Sequence, residues 1–131
     1  MICKCSLIVR TYECDSYGHV NNANYLHYLE YARQDALKQM NFDYPAMLKA
    51  GYRVYVAKIE IEYKKPAFVD EELEISTWPL KKGAVSGVLA QEIKRGGVLL
   101  VTAKVTWAFV DSGGQPVKIP AQWDVPGLKP E

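Results

Sequence analysis

The sequence has almost no excess of either charge and no long hydrophobic run. Sixteen lysines and arginines face fifteen aspartates and glutamates, so there is no general electrostatic case for a nucleic-acid or anionic-membrane partner. No apolar stretch approaches the roughly 20 residues that a membrane-spanning helix needs. At 131 residues the chain is long enough for one core but too short for two substantial ones. We therefore expect one domain spanning residues 1–131.

Cysteine and histidine are also scarce. The three cysteines, Cys3, Cys5 and Cys14, are odd in number and crowded at one end, and no basic stretch followed by an apolar segment opens the chain. A reduced, cytoplasmic protein is the expectation. The histidines are His19 and His27, and with one Cys-x-Cys they give little support to a structural zinc site. We expect no metal and no bound redox cofactor.

The stretch from Tyr12 to Arg33 carries the densest set of polar candidates. Cys5 to Cys14 is rich in β-forming residues and predicts a first strand that delivers Asp15 at its end. Gly18 suits a turn, and Asn21 or Asn22 can cap the helix that follows. A carboxylate would then face a helix N-terminus, where free N–H groups and the helix dipole favour a carbonyl or phosphate oxygen. The carboxylate and the helix N-terminus together make up half of an acyl-transfer site.

Helical periodicity continues beyond this turn. Apolar residues recur at three- and four-residue steps between Ala23 and Met40, which predicts one long helix ended by Asn41. A short second helix is expected from Asp43-Tyr44-Pro45 to Gly51, since proline suits a first turn and glycine a C-terminal cap.

After Gly51 the period becomes that of strands. Strands are predicted at Tyr55 to Tyr63, Glu72 to Thr77, Val85 to Lys94 and Val98 to Val110, with turns at Lys81-Lys82-Gly83 and Arg95-Gly96-Gly97. The second of the five strands is expected to place Tyr55, Ala57, Ile59, Ile61 and Tyr63 on one face.

The fifth strand has an apolar face that must be buried, and the long helix is the element available to pack against it. The economical fold is α+β, an antiparallel five-stranded sheet curled around one helix. The segment after Pro116 is expected to be a surface extension.

The order of these elements resembles the hotdog-fold acyl-CoA thioesterases of the 4-hydroxybenzoyl-CoA thioesterase type. Asp15 to Val20, followed by Tyr25-Leu26 and Glu30 to Arg33, matches their D-x-x-G-H-V … Y-L … E-x-A-R pattern. Tyr63 to Ala67 with Asp70 matches a weaker Y-x-x-P-A … G-D pattern, although Val69 stands where glycine is common.

The resemblance implies hydrolysis of a thioester between an acyl group and a pantetheine thiol. Asp15 would act as general base or as nucleophile, and the backbone N–H of Asn22 would polarise the carbonyl. His19-Val20-Asn21-Asn22 also looks like the H-V-N-N of acyl-carrier-protein thioesterases, in which a histidine has a catalytic part. His19 would therefore contact the thioester or its carrier, or only hold the turn. Acyl-CoA and acyl-carrier protein both stay open as substrates.

Other residues have both a functional and a structural interpretation. Tyr25, Lys64 and Lys65 are expected to bind substrate, the lysines through the phosphates of coenzyme A; Arg95 is a weaker candidate. Glu30 is either a second carboxylate near the thioester or the ion-pair partner of Arg33 on the helix. Cys14 is expected to be a small buried thiol.

A lone protomer of this kind would leave one sheet edge open, so we expect a homodimer with sheets joined edge to edge, or a homotetramer. A hotdog hydratase and a non-catalytic acyl-CoA binding module remain alternatives.

Overall fold

Alternating apolar residues form a five-stranded antiparallel sheet in the computed structural model, which describes all 131 residues. The predicted α+β architecture is confirmed. The strands lie in the order β1-β3-β4-β5-β2. Their bounds are β1 Cys3–Ile8, β2 Arg53–Tyr63, β3 Glu72–Lys82, β4 Ser86–Arg95 and β5 Val98–Val110. The helices are α1 Asn22–Gln39 and α2 Tyr44–Lys49.

The long helix begins one residue earlier than its periodicity predicts. The side chain of Asn21 accepts a hydrogen bond from the N–H of Ala23 at 2.9 Å and so caps the first turn. Asn41 takes a left-handed conformation, with φ of 59°, which ends the helix as expected. The short helix is also confirmed, with Asp43 as its N-terminal cap and Gly51 at a φ of +92° beyond its end.

The first strand is shorter than predicted. β1 ends at Ile8 instead of reaching Cys14, and Thr11–Glu13 form a 3₁₀ turn. The β-forming residues of this segment are overridden by Glu13, whose carboxylate accepts hydrogen bonds from the N–H and the guanidinium of Arg10. Asp15 therefore follows a helical turn and not the end of a strand.

The predicted face of β2 is wrong for its first half. A bulge between Val56 and Lys58 shifts the register against β5, so two residues oppose one and the side-chain alternation is reset. Val54 and Val56 pair with Phe109 and Trp107, and Ile59, Ile61 and Tyr63 pair with Val105, Ala103 and Val101. These five β2 residues lie on the same face of the sheet as Val105, Trp107 and Phe109, whereas Tyr55 pairs with Ala108 on the opposite face.

The prediction that the segment after Pro116 is a surface extension is wrong, because this segment is part of the core. Ile119, Trp123 and Leu128 are at most 5% exposed. The N–H of Ile119 donates to the carbonyl of Ala84 at 3.0 Å, and the indole of Trp123 donates to the carbonyl of Asp43 at 3.2 Å. Apolar residues spaced among prolines gave no periodic signal from which this packing could be predicted.

Two hydrophobic clusters lie along α1. The first surrounds its N-terminal half, with Leu29, Ile75 and Val101 fully buried. The second surrounds its C-terminal half and includes Trp107, Phe109 and the tail. No helix of the structure combines the length and the apolar character that crossing a membrane requires.

Candidate functional site

A buried carboxylate fixes the loop that leads to the candidate site. Glu13 is 6% exposed and accepts hydrogen bonds from the Arg10 N–H at 2.8 Å, the Arg10 guanidinium at 2.6 Å and the Tyr28 hydroxyl at 2.8 Å. Its backbone carbonyl accepts two more, from the N–H of Asn21 and the side-chain amide of Asn24, both at 2.9 Å. Glu13 thereby joins the loop to the first two turns of α1.

These contacts set the protonation states of Glu13 and Tyr28. Burial disfavours the charged form of Glu13, but the hydrogen bonds from Arg10 and Tyr28 outweigh it, and the net effect lowers the pKa of Glu13. Burial first, and then the hydrogen bond to Glu13, raises the pKa of Tyr28. Glu13 is therefore an ionised structural anchor with its oxygens occupied.

Asp15 lies in a tight turn two residues further on. Its N–H donates to the carbonyl of His19 at 2.8 Å, and its carbonyl accepts from the N–H of Gly18 at 3.0 Å. One carboxylate oxygen, Oδ1, accepts from the N–H of Tyr17 at 2.9 Å. Gly18 has a φ of +81°, a conformation that glycine adopts without a steric cost. The turn holds the exposed Asp15 carboxylate by one oxygen.

The N-terminus of α1 offers a backbone donor nearby. The Ala23 N–H is capped by the Asn21 side chain, and the Asn24 N–H donates to the Asn21 carbonyl at 2.8 Å. Asn22 is the first residue of the helix, so no helical carbonyl lies one turn before it to accept its N–H. The hydroxyl of Tyr63 donates to the Asn22 carbonyl at 3.1 Å, which ties β2 to this turn.

All six predicted site residues line one open cleft between the turn, the start of α1 and the end of β2. Tyr63 and Pro66 complete it, with Val20 at its base. The cleft is lined by Asp15, His19, Val20, Asn22, Tyr25, Tyr63, Lys64, Lys65 and Pro66. Sequence positions up to fifty residues apart are thus brought together at the N-terminal end of the long helix.

Two of these residues also have structural contacts. The His19 ring packs edge-on against Phe68, with ring centroids 5.0 Å apart. Tyr25 is buried, and its hydroxyl accepts a hydrogen bond from the N–H of Ala67 at 3.0 Å. Burial is the main reason why the pKa of Tyr25 is raised. Both side chains hold the Pro66–Phe68 segment against the turn and the helix.

The cationic residues at the cleft rim differ in how firmly other groups hold their side chains. Lys64 and Lys65 are exposed, and Lys64 approaches Glu62 at 3.4 Å. Arg95 instead donates to the Pro66 carbonyl at 3.1 Å and pairs with Glu71 at 3.0 Å. Arg95 therefore braces the loop beside the cleft, and the two lysines supply its accessible positive charge.

Glu30 and Arg33 lie elsewhere and do not form the expected ion pair within 4.0 Å. Arg33 donates to the side chain of Gln91 at 3.1 Å, and burial lowers its pKa. Gln91 in turn donates to the Leu29 carbonyl and the Thr77 hydroxyl, both at 3.0 Å. Glu30 lines a separate apolar cavity further along α1, away from Asp15.

Cys14 is partly buried, and its thiol lies 3.8 Å from the Arg10 carbonyl. Burial, with the nearby charges of Asp15 and Glu13, raises its pKa. A raised pKa disfavours the reactive thiolate.

Sequence reasoning missed Glu13 and Tyr63 as parts of this site. The spacing Arg10-x-x-Glu13 was a signal for the first, because a carboxylate three residues after a turn start often caps it. The contact between Tyr63 and Asn22 joins residues 41 positions apart and had no local signal.

Comparisons with known proteins point in one direction. Residues 9–125 match the family model described as thioesterase-like superfamily. The chain is 34% identical over 105 residues to the long-chain acyl-CoA thioesterase FadM of Escherichia coli, covering 79% of each protein. It is 31% identical over 121 residues to the acyl-CoA thioesterase YbgC of Haemophilus influenzae, covering 89% of each.

A solved structure agrees with these sequence matches. The probable thioesterase from Bartonella henselae superposes with a TM-score of 0.85 at 28% identity, over 92% of this chain and 100% of that one.

Proposed function

This chain belongs to the thioesterase-like superfamily, and from that premise we propose that it hydrolyses acyl-CoA thioesters with Asp15 as the catalytic carboxylate. The observation that carries the proposal is the shared cleft, in which Asp15 and the first residue of α1 both form the wall. A carboxylate beside an unpaired helix N–H is the arrangement that thioester hydrolysis needs.

In this mechanism the thioester carbonyl oxygen binds the N–H of Asn22 at the positive end of α1. With Asp15 as general base, the carboxylate takes a proton from a water molecule while the water oxygen bonds to the carbonyl carbon. The C–S bond of the resulting tetrahedral species then breaks, and the thiolate leaves and takes up a proton. With Asp15 as nucleophile, a carboxylate oxygen bonds to the carbonyl carbon, the C–S bond breaks, and the thiolate leaves and takes up a proton. Water then cleaves the mixed anhydride, which releases the acid and restores the Asp15 carboxylate.

The remaining cleft residues fit the carrier end of the substrate. Lys64 and Lys65 are exposed cations at the rim, and lysines at such a position attract the phosphates of coenzyme A. His19 lines the same cleft, from which it would contact the thioester or its carrier. An acyl-carrier protein would present one phosphate and an acidic surface. Reversing the charge of the two lysines should therefore weaken the binding of acyl-CoA and of acyl-carrier protein alike.

A thiol-release assay across short, long, branched and aromatic acyl-CoAs tests this function. Asp15→Asn and Asp15→Ala should lower kcat by at least ~10²-fold. Ser16→Ala, in the same exposed turn, is the matched control and should retain the wild-type rate. Near wild-type rates for Asp15→Ala on the best substrate would refute the site. Tight acyl-CoA binding with no thiol release by the wild type would instead indicate a binding module.

We also propose a homodimer joined through β2, whose outer edge has no strand partner in the protomer. This strand carries three exposed apolar residues, Tyr55, Val56 and Tyr63, each 45–50% exposed. An unpaired, apolar edge strand favours pairing with a second copy. Light scattering coupled to size exclusion should give twice the protomer mass or a multiple of it, and a monomer at micromolar concentration would contradict the proposal.

A further inference from the structure

Asn24 makes a hydrogen bond that is unusual for the first turn of a helix. It is the third residue of α1, and its side-chain Nδ2 donates to the backbone carbonyl of Glu13 at 2.9 Å. The two residues lie eleven positions apart, so this bond joins the loop before the Asp15 turn to the helix. Side chains at this helical position commonly accept from free backbone N–H groups, whereas Asn24 donates to another segment.

The same carbonyl of Glu13 accepts a second hydrogen bond, from the N–H of Asn21 at 2.9 Å. Asn21 is the N-terminal cap of α1, and its N–H is the donor that an acidic side chain at the third helical position would accept in a capping box. One carbonyl of the loop therefore binds both the cap and the third residue of the helix. We call these two hydrogen bonds to the Glu13 carbonyl the Glu13 clamp.

Both reacting groups of the proposed mechanism lie within two residues of this clamp. Asp15 is two residues after Glu13, and Asn22, which offers the proposed backbone donor, directly follows Asn21. Consecutive Cα atoms are about 3.8 Å apart, so a displacement at the clamp reaches the carboxylate and the donor over a very short length of chain. The clamp therefore sets how the Asp15 turn sits against the N-terminus of α1.

The other end of the Asn24 amide faces away from the clamp. Its Oδ1 lies 3.3 Å from Nδ1 of His27, an exposed residue one turn further along α1. The Asn24 side chain itself is partly buried. With its oxygen next to His27, the amide directs its NH₂ group toward the Glu13 carbonyl. A change at His27 would therefore alter the contact at the oxygen end and leave the donor at the clamp in place.

Helix stability alone would favour a different residue at position 24. Asparagine is a weak helix former, and the helix dipole favours an acidic residue in the first turn. The first turn of α1 nevertheless contains no acidic residue. A carboxylate at position 24 would have no proton to donate to the Glu13 carbonyl, whereas the amide has two. Departures from local preference of this kind are expected at functional sites, and the donor explains the asparagine.

We propose that Asn24 is a positioning residue of the thioesterase reaction, which holds the Glu13 carbonyl against the start of α1 and thereby fixes the Asp15 carboxylate relative to the N–H of Asn22. The proposal rests on the proposed thioesterase function and adds a residue that does not line the cleft. Asn24 acts through the clamp, on the approach of the carboxylate to the bound carbonyl. Misplacing a reacting group by about 1 Å can lower a rate by ~10²-fold.

Asn24→Ala and Asn24→Asp remove the donor in two different ways. Alanine is neutral and a stronger helix former, and it leaves the Glu13 carbonyl with its bond from the Asn21 N–H. Aspartate keeps the shape of the side chain and places a favourable charge at the helix N-terminus, but its carboxylate cannot donate. Both variants should melt within about 4 °C of the wild type by circular dichroism. His27→Ala, which removes the contact at Asn24 Oδ1, is the matched control.

Thiol release from the best acyl-CoA gives the kinetic result. Both Asn24 variants should lower kcat by at least about tenfold and keep KM within about threefold, because they displace the reacting groups and leave the substrate-binding cleft intact. His27→Ala should keep kcat within about twofold. An unchanged kcat in both folded Asn24 variants overturns the proposal. So does a loss confined to Asn24→Asp, which would be an effect of charge near Asp15, or a raised KM with kcat unchanged.

Amide hydrogen exchange, followed by NMR, tests the clamp without any substrate. The Asn21 N–H shares the Glu13 carbonyl with Asn24, so it should exchange at least about fivefold faster in both Asn24 variants than in the wild type or His27→Ala. The amides of β4 should be unaffected. If no acyl-CoA releases thiol, the proposed function fails while this measurement still tests the clamp. Unchanged exchange at Asn21 in both variants overturns the clamp even if hydrolysis is observed.

Discussion

The hydroxyl of Tyr28 donates a hydrogen bond to the buried carboxylate of Glu13 across 2.8 Å. Tyr28 lies in the second turn of α1, and Glu13 lies two residues before Asp15. One short contact therefore joins the element that carries the proposed catalytic carboxylate to the element that offers the backbone donor.

Removing that hydroxyl should destabilise the fold. Tyr28→Phe leaves the ring in place but deletes a hydrogen bond to a buried charge, so the free energy of unfolding should fall by ~1–3 kcal/mol. Urea denaturation followed by tryptophan fluorescence measures it. Tyr31→Phe, on an exposed ring of the same helix, should change it by less than ~0.5 kcal/mol. Equal effects of the two changes would contradict this role of Tyr28.

The same carboxylate predicts a pH dependence of stability. The pKa of Glu13 is lowered in the folded state from its ordinary value of 4.5. A depressed folded pKa stabilises the protein above the unfolded value, and the contribution is lost as the pH falls through the folded value. The difference in unfolding free energy between wild type and Glu13→Gln should be full at pH 7 and shrink below about pH 4.5. A difference that stays constant down to about pH 2 would show that Glu13 acts only by packing.

The backbone donor at Asn22 can be removed without breaking the helix. Proline is tolerated at the first helical position, and Asn21 has φ of −62° and ψ of 138°, which suits a residue before proline. Asn22→Pro should lower kcat for acyl-CoA hydrolysis by ~10²- to 10³-fold. Asn22→Ala keeps the N–H and should be far milder. Similar rates for the two folded variants would remove Asn22 from the mechanism.

Gly18 provides a test of the turn itself. Its φ is +81°, and no other atom lies within 4 Å of the position that a Cβ would take there, so Gly18→Ala adds backbone strain without a clash. The free energy of unfolding should fall by about 1–2 kcal/mol. Gly97→Ala, in a hairpin turn where the added Cβ also meets nothing, is the control and should cost less than half of that. A larger loss at Gly97 would contradict this explanation.

Local patterns predicted the helices and placed β4 and β5 to within one residue, whereas β3 runs to Lys82, through the predicted turn at Lys81-Lys82-Gly83. The residues of the motif line one cleft. Asp15, His19 and Asn22 lie close in sequence, so one turn places them together. Lys64 and Lys65 reach the same cleft because the end of β2 lies beside the start of α1. Their placement followed from the family resemblance and not from any periodic signal.

The errors share a physical origin in tertiary contacts. The bulge at Val56/Lys58 resets the face of β2, and a run of alternating residues does not reveal an inserted one. Glu13 ended the first strand early because its carboxylate binds Arg10 and Tyr28, the second from another element. The tail after Pro116 packs through Trp123 against a residue 80 positions away.

The place of β2 in the sheet has a consequence for folding. It is second in the chain but pairs only with β5, the last strand, so its ladder closes a loop that contains β3 and β4. Closing long loops is slow because their entropy is lost before the contacts are gained. Tyr63 and the two lysines are therefore held beside the Asp15 turn by a strand whose partner in the protomer is the C-terminal strand. We expect ligand binding at the cleft to recover no earlier than the tryptophan signal during refolding.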